Sequence, residues 1–192
     1  MANEQKIIFV VDDNNGNLIA CKNILMPYYD VYPAQSAEKM FELLEHIKPD
    51  LILLDVEMPD VNGYDMVRKL KSNEGHKNIP IIFLSARSDS ASEMEGFSLG
   101  ALDYIHKPFF RDLLLRRIEM HFSLIAYREI FSGIKNPVNE INKMLDEVAG
   151  VDDPAKLPER IENLNKSAKQ LLGTIDSILD MSKIWDKNAG GQ

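Results

Sequence analysis

The chain is predicted to be an α/β protein. A doubly wound, five-stranded parallel sheet comes first, and an all-α antiparallel helical hairpin follows. Three observations carry this. Five short apolar runs alternate with amphipathic stretches up to about residue 109. Four of the runs stop at or lead to polar, chemistry-bearing residues. After Phe109 no strand candidate remains, and the apolar residues fall into a helical four-three spacing.

Strands are expected at about 6–11, 29–32, 50–54, 79–84 and 102–105. Helices are expected between them at Asn17–Met26, Ala37–Ile47, Tyr64–Lys71 and Ala91–Leu99. Breakers punctuate the series: Pro49 before the third strand, Pro59 and Gly63 after it, Pro80 in the fourth, and Gly100 before the fifth. Strands alternating with helices in this way imply right-handed crossovers and a parallel sheet. In such sheets the ligand crevice lies outside the carboxyl ends of the strands.

The second part of the chain has a different grammar. Ile118, Phe122 and Ile125, then Ile134, Val138, Ile141, Leu145 and Val148 mark one long helix. Leu157, Ile161, Leu164, Ala168, Leu171, Ile175 and Ile178 mark another. The segment Ala149–Pro154 reads as the turn between them, which makes an antiparallel hairpin. An apolar seam on such a hairpin needs a cover, and a second copy supplies one through a two-fold four-helix bundle. The expected divisions are 1–122, 123–187 and a disordered tail at 188–192.

Composition narrows the possible roles. The chain has 192 residues, 45% hydrophobic and 27% charged, with a net charge of −8. This is ordinary for a soluble domain with an appendage, and the acidic balance argues against nucleic acid as a partner. The single cysteine, Cys21, excludes an intramolecular disulfide and fits a reducing compartment. The apolar run at Ile7 is too short for a membrane span or a signal-peptide core, so a cytoplasmic location is expected.

The chemistry gathers at the strand ends. Asp12 and Asp13 close the first strand, Asp55 closes the third, Ser85 follows the fourth, and Lys107 follows the fifth. Three carboxylates, a hydroxyl and an amine on one rim form a site for Mg²⁺ and a phosphoryl group. Carboxylates this close repel unless a cation sits among them. A carboxylate such as Asp55 attacks phosphorus only when the charge on both partners is offset, and Lys107, a compact charge on a long stem, can pair with Asp55 at rest and with a phosphate oxygen afterwards.

Val11-Asp12-Asp13, Leu54-Asp55-Val56-Glu57-Met58-Pro59 with Gly63, Ser85-Ala86, and Tyr104-Ile105-His106-Lys107-Pro108-Phe109 resemble the receiver domain of two-component response regulators. The resemblance covers about residues 5–122. It implies a flavodoxin-like sheet of order 2-1-3-4-5. It also implies that Asp55 accepts phosphate from a histidine kinase with Mg²⁺ on Asp12, Asp13, Asp55 and the Glu57 carbonyl. By the same match Lys107-Pro108 is a cis peptide, and Ser85 and Tyr104 form a switch pair. The bland readings differ: a single acid at a strand end is a solvated cap, and Tyr104 is plain packing. Glu57 and Arg87 are either a gating salt bridge or a solvated pair. His106 reads as a rim residue and His121 as structural.

The hairpin resembles the dimerisation and phosphotransfer domain of histidine kinases. The match lies at Phe131–Val138 in the first helix, and at Leu164–Leu172 and Ile178–Ile184 in the second. In that family a histidine stands five residues before the proline; here Ser132 stands five before Pro137, and Gly133 replaces the acidic neighbour. Proline inside a helix costs about 3 kcal/mol or more, so Pro137 fits common ancestry or a bend. A plain coiled-coil dimeriser is the bland alternative. The resulting expectation is a non-enzymatic, homodimeric response regulator whose hairpin binds protein partners. The alternatives are a fragment of a hybrid histidine kinase or phosphotransferase, and a receiver adaptor with the hairpin as a tether.

Overall fold

A computed structural model of the chain describes residues 5–59, 61–86, 89–149, 155 and 157–189. The chain divides into two compact units, Met1–Glu119 and Met120–Gln192. The first unit alternates β1 (Ile7–Val11), α1 (Asn15–Leu25), β2 (Asp30–Ala34), α2 (Ala37–Leu44), β3 (Leu51–Asp55), α3 (Gly63–Ser72), β4 (Ile81–Ser85), α4 (Ser90–Ser98) and β5 (Asp103–His106). The strands form one parallel sheet in the order β2-β1-β3-β4-β5. This is the expected flavodoxin-like topology, with the strand order reversing between β1 and β3.

Burial explains the composition of the strands. Every residue of β3 and β4 is buried, as helices covering both faces require. Phe9, Ile52, Leu54, Ile81 and Phe83 are wholly inaccessible and share a core with Met40, Met66 and Leu70 from the helices. The edge strand β2 is more exposed and carries Pro33, whose missing N–H is tolerated where only one side of a strand is paired.

Helix ends differ from the sequence expectation at the start of α1 and the end of α2. α1 begins two residues earlier than Asn17, because the Asn14 side chain accepts from the Gly16 and Asn17 N–H groups. α2 ends at Leu44 rather than Ile47, and the chain closes in a tighter turn with Glu45 N–H bonded to Glu42 O. β4 begins at Ile81 rather than 79. Pro80 can offer only its carbonyl, which accepts from Ile52 N–H at 3.0 Å. Gly100, at φ +87°, turns the chain out of α4 in a conformation that side chains disfavour.

The long helix α5 spans Arg111–Ala149 without a break and contains Pro137. Its first turns belong to the first unit, where Leu114 and Ile118 are fully buried. Within the second unit, α6 spans Leu157–Ala189. The Arg160 guanidinium donates to the Glu147 carbonyl. A Cβ added at Gly133 would lie 3.5 Å from Thr174 Cγ2. The tail expected at 188–192 overlaps α6 at Asn188 and Ala189; its remainder, like the turn residues 150–154, lies outside the described residues. No helix among the described residues is long and apolar enough to cross a membrane.

Cys21, on α1 of the first unit, has no exposed surface. Burial first, then the nearby Asp12 carboxylate, pushes its thiol from 9.0 up to about 12. The folded state thus prefers the neutral thiol, and this contribution to stability is present below the unfolded value and lost as pH rises toward the folded one. Cys21 is expected to resist a thiol reagent in the native protein at pH about 8 and to react fully in urea. Fast labelling under native conditions would contradict this placement.

Candidate functional site

The rim of the sheet brings the expected groups together. Asp12 directly follows β1, and its backbone N–H is held by the Ala34 carbonyl at 3.1 Å. Asp55 is the last residue of β3, and Ser85 is the last of β4. Lys107 directly follows β5, its N–H donating to the Ser85 carbonyl at 2.7 Å. The Lys107-Pro108 peptide is cis. Asp12, Asp13 and Asp55 each offer a carboxylate oxygen within 4.8 Å of the other two. Asp13 is exposed, whereas Asp12 and Asp55 are buried.

The Lys107 ammonium bridges two of these acids. Its Nζ lies 2.6 Å from Asp12 Oδ2 and 2.8 Å from Asp55 Oδ2. The sequence pointed to Asp55 as its resting partner; the structure adds Asp12. Burial alone would pull the Lys107 ammonium down, but hydrogen bonds to Asp12 and Asp55 outweigh it and raise its pKa. Asp55 titrates above the ordinary carboxylate range. Burial is the main cause and Asp12 adds to it, against the opposing pull of Lys107 and of the Glu57 N–H. Two buried acids sharing one cation, with a third acid alongside, leave the rim net negative. The donor set is all hard oxygen, which suits Mg²⁺.

Further contacts hold the acids in place. Asp55 Oδ1 accepts from the Glu57 N–H at 3.3 Å. Asp12 accepts from the Asn14 N–H at 2.9 Å and from the Asn17 amide, which reaches both carboxylate oxygens at 3.1 Å. Sequence reading passed over Asn17 because it looks like an ordinary polar helix residue. Its one signal is that it lies a turn inside a capped helix whose cap directly follows Asp12-Asp13. Beside Asp13, a cleft of about 170 Å³ opens between Ser36–Glu38 and Met58, Pro59 and Val61.

The remaining expected residues fall in several places. Tyr104 is turned inward at 4% exposure, paired across the sheet with Phe83. Ser85 is fully buried two residues further along the same strand, so the side chains of Phe83 and Ser85 share one face. The Glu57 side chain is exposed, and Arg87, its suggested ion-pair partner, lies outside the described residues. His106 is exposed and pairs with Glu93 at 2.8 Å. His121 is buried on α5.

Gly63 sets the distance between α3 and Asp55. A Cβ there would strike the Asp55 carbonyl oxygen and lie 2.9 Å from Val56 Cα, while the Gly63 N–H donates to Val56 O at 2.9 Å. These obstacles are backbone and cannot swing aside. Gly63→Ala is therefore expected to destabilise the protein by about 1–3 kcal/mol through forced backbone movement. The effect would be read as a lower urea midpoint at unchanged m-value. An unshifted midpoint would refute the close approach.

Comparison with known proteins agrees with this geometry. A family model for the response regulator receiver domain matches residues 8–119. A probable cyclic di-GMP phosphodiesterase of Vibrio cholerae is 38% identical over 117 residues, 61% of this chain and 26% of that protein. Hybrid signal transduction histidine kinase D of Dictyostelium discoideum is 31% identical over 142 residues, 74% of this chain and 9% of that protein. The chain thus spans only a small part of these longer relatives. The crystal structure of a CheY-like receiver domain protein from Methanospirillum hungatei is 25% identical with a TM-score of 0.59, covering 65% of this chain and 98% of that one. The matched segment holds all five strands save Ile7, the three clustered aspartates and Lys107, and the chain belongs to the response regulator receiver domain family.

Proposed function

We propose that Asp55 is the phosphoryl acceptor of a two-component relay, with a histidine kinase as donor, and that the helical second unit is the output. The observation that carries this reading is the Lys107 ammonium held between Asp12 and Asp55 within a cluster of three carboxylates. Asp55 would attack phosphorus through a carboxylate oxygen as the bond from phosphorus to the kinase histidine nitrogen breaks, with that nitrogen keeping the electron pair. Asp12, Asp13, Asp55 and the Glu57 carbonyl would hold Mg²⁺, which when bound offsets the phosphoryl charge. Lys107 would leave the carboxylates for a phosphoryl oxygen, and Ser85 would donate a hydrogen bond to the same group. Tyr104, already inward, would be the other member of the switch pair. Beyond this self-directed phosphorylation and dephosphorylation, the chain would not be an enzyme.

The output part of the proposal takes a receiver over 1–122 and a helical hairpin over 123–187. The two contacts between α5 and α6 run in opposite order along the chain, 133 with 174 and 147 with 160, which supports an antiparallel pair. Met120, Leu124, Tyr127, Phe131, Val138 and Leu145 form a four-three series on α5 and stay 37–75% exposed. A seam of that kind suits a second copy of the chain, giving a dimer of hairpins. With Ser132 where kinases of the resembling family carry histidine, the hairpin would bind protein partners without taking up phosphate. A second reading, a piece of a hybrid histidine kinase, draws support from the Dictyostelium match, which is longer than the family match.

Acetyl phosphate with Mg²⁺ is expected to add one phosphoryl group to the wild-type chain and none to Asp55→Asn, as read by intact mass. Equal labelling of both would sink the acceptor assignment. Transfer of label from a kinase to Asp55→Asn at an acid-labile site would favour the hybrid-kinase reading. Light scattering should give a dimer mass, and Leu124→Glu with Phe131→Glu should give a folded monomer. A wild-type monomer, with and without a phosphoryl mimic, would remove the dimer.

A further inference from the structure

Tyr64 lies between the acid cluster and the inward Tyr104. It directly follows Gly63, whose backbone is pressed against the Asp55 main chain. Asn62 caps α3 by accepting from the Tyr64 N–H at 2.9 Å. The Tyr64 side chain is 3% exposed, and its ring meets Phe83 edge-on with centroids 5.1 Å apart. Phe83 in turn touches Tyr104 at 6.0 Å.

The hydroxyl makes the connection directional. Tyr64 donates its one proton to the Ser92 carbonyl at 2.8 Å. In the 3.5 Å contact between the two tyrosine hydroxyls, Tyr64 is therefore the acceptor and Tyr104 the donor. Ser92 lies in the first turn of α4, where its N–H and Oγ are both tied to the Asp89 carboxylate at 2.9 and 2.8 Å. One turn later, a Cβ at Gly96 would come within 3.1 Å of the Phe83 ring and 3.3 Å of the Tyr104 ring. α4 thus packs directly on the two aromatics that Tyr64 joins.

We propose that Tyr64 is a positioning residue. Its hydroxyl holds Tyr104 in the buried pose and fastens the first turn of α4, so that the state of Asp55 reaches α4 and β5 through it. The inference rests on Asp55 being the phosphoryl acceptor. A tyrosine placed only to fill the core would need its ring and not its hydroxyl. The two hydroxyl contacts are what separate these roles.

The test uses the full chain with Mg²⁺ and beryllofluoride as a phosphoryl mimic. It is read by hydrogen–deuterium exchange over α4 and by the ring resonances of Tyr104. In the wild type the mimic changes both signals. Tyr64→Phe keeps the ring on Phe83, so β1 and β3 amides should keep their protection and the mimic should still bind. Its α4 amides should exchange about fivefold faster, the loss of one modest hydrogen bond, and should no longer respond to the mimic. Tyr104→Phe removes the same shared bond from the other side, so the double variant should lose no more α4 protection than the larger single effect. A wild-type α4 response in Tyr64→Phe, or additive losses in the double variant, overturns the proposal. Failure of the wild type to bind the mimic overturns the Asp55 reading instead, and this inference with it.

Discussion

The receiver half is organised around one ammonium group. Asp12 and Asp55 arrive at the same rim on adjacent strands because parallel pairing brings the carboxyl ends of β1 and β3 together. Two buried carboxylates at that distance would repel, and Lys107 offsets the repulsion by pairing with both. Its position depends on the opposite edge of the sheet, where its backbone N–H is bonded to the Ser85 carbonyl. The charge balance at the rim therefore requires β1, β3, β4 and β5 in register. A site assembled in this way is a property of the sheet and not of any one loop.

That dependence also sorts the glycines by their work. At Gly63 a side chain would strike the Asp55 main chain, and at Gly96 a Cβ would press on two aromatic rings. Gly133 and Gly173 meet no such obstacle closer than 3.5 Å. Gly63 lies against Asp55 and Gly96 lies in α4, two places where a small shift has little slack to absorb it.

Much of the first unit was legible from residue pattern. The strands read clearly because buried parallel strands leave unbroken apolar runs, and those of β1, β3 and β4 stop at the candidate site residues. Helix ends were less legible: Asn14 starts α1 two residues early through side-chain bonds, α2 stops at Leu44, and Pro80 shortens β4 by withholding an N–H. Asn17 and Tyr64 escaped notice for a different reason. An amide on a helix and an aromatic at a helix start look the same whether they serve packing or a site, and only the hydrogen-bond partners distinguish them. The double pairing of Lys107 was half legible, since sequence suggests that an amine sits near acids but not how many it reaches. In the second unit, apolar spacing marked both helices, whereas a self-pairing face depends on a surface that spacing alone does not define.

The segment from Val56 to Asn62 is closed at its end by the Gly63 N–H on the Val56 carbonyl. The Asn62 side chain fixes the same end by accepting from the Tyr64 N–H, so the number of residues between these two anchors is constrained. One residue inserted or removed there would turn every side chain of α3 by about 100° about the helix axis. Tyr64 would leave Phe83, and Met66, Val67 and Leu70 would rotate out of the core together. The number of residues in that loop therefore decides which face of α3 meets the core.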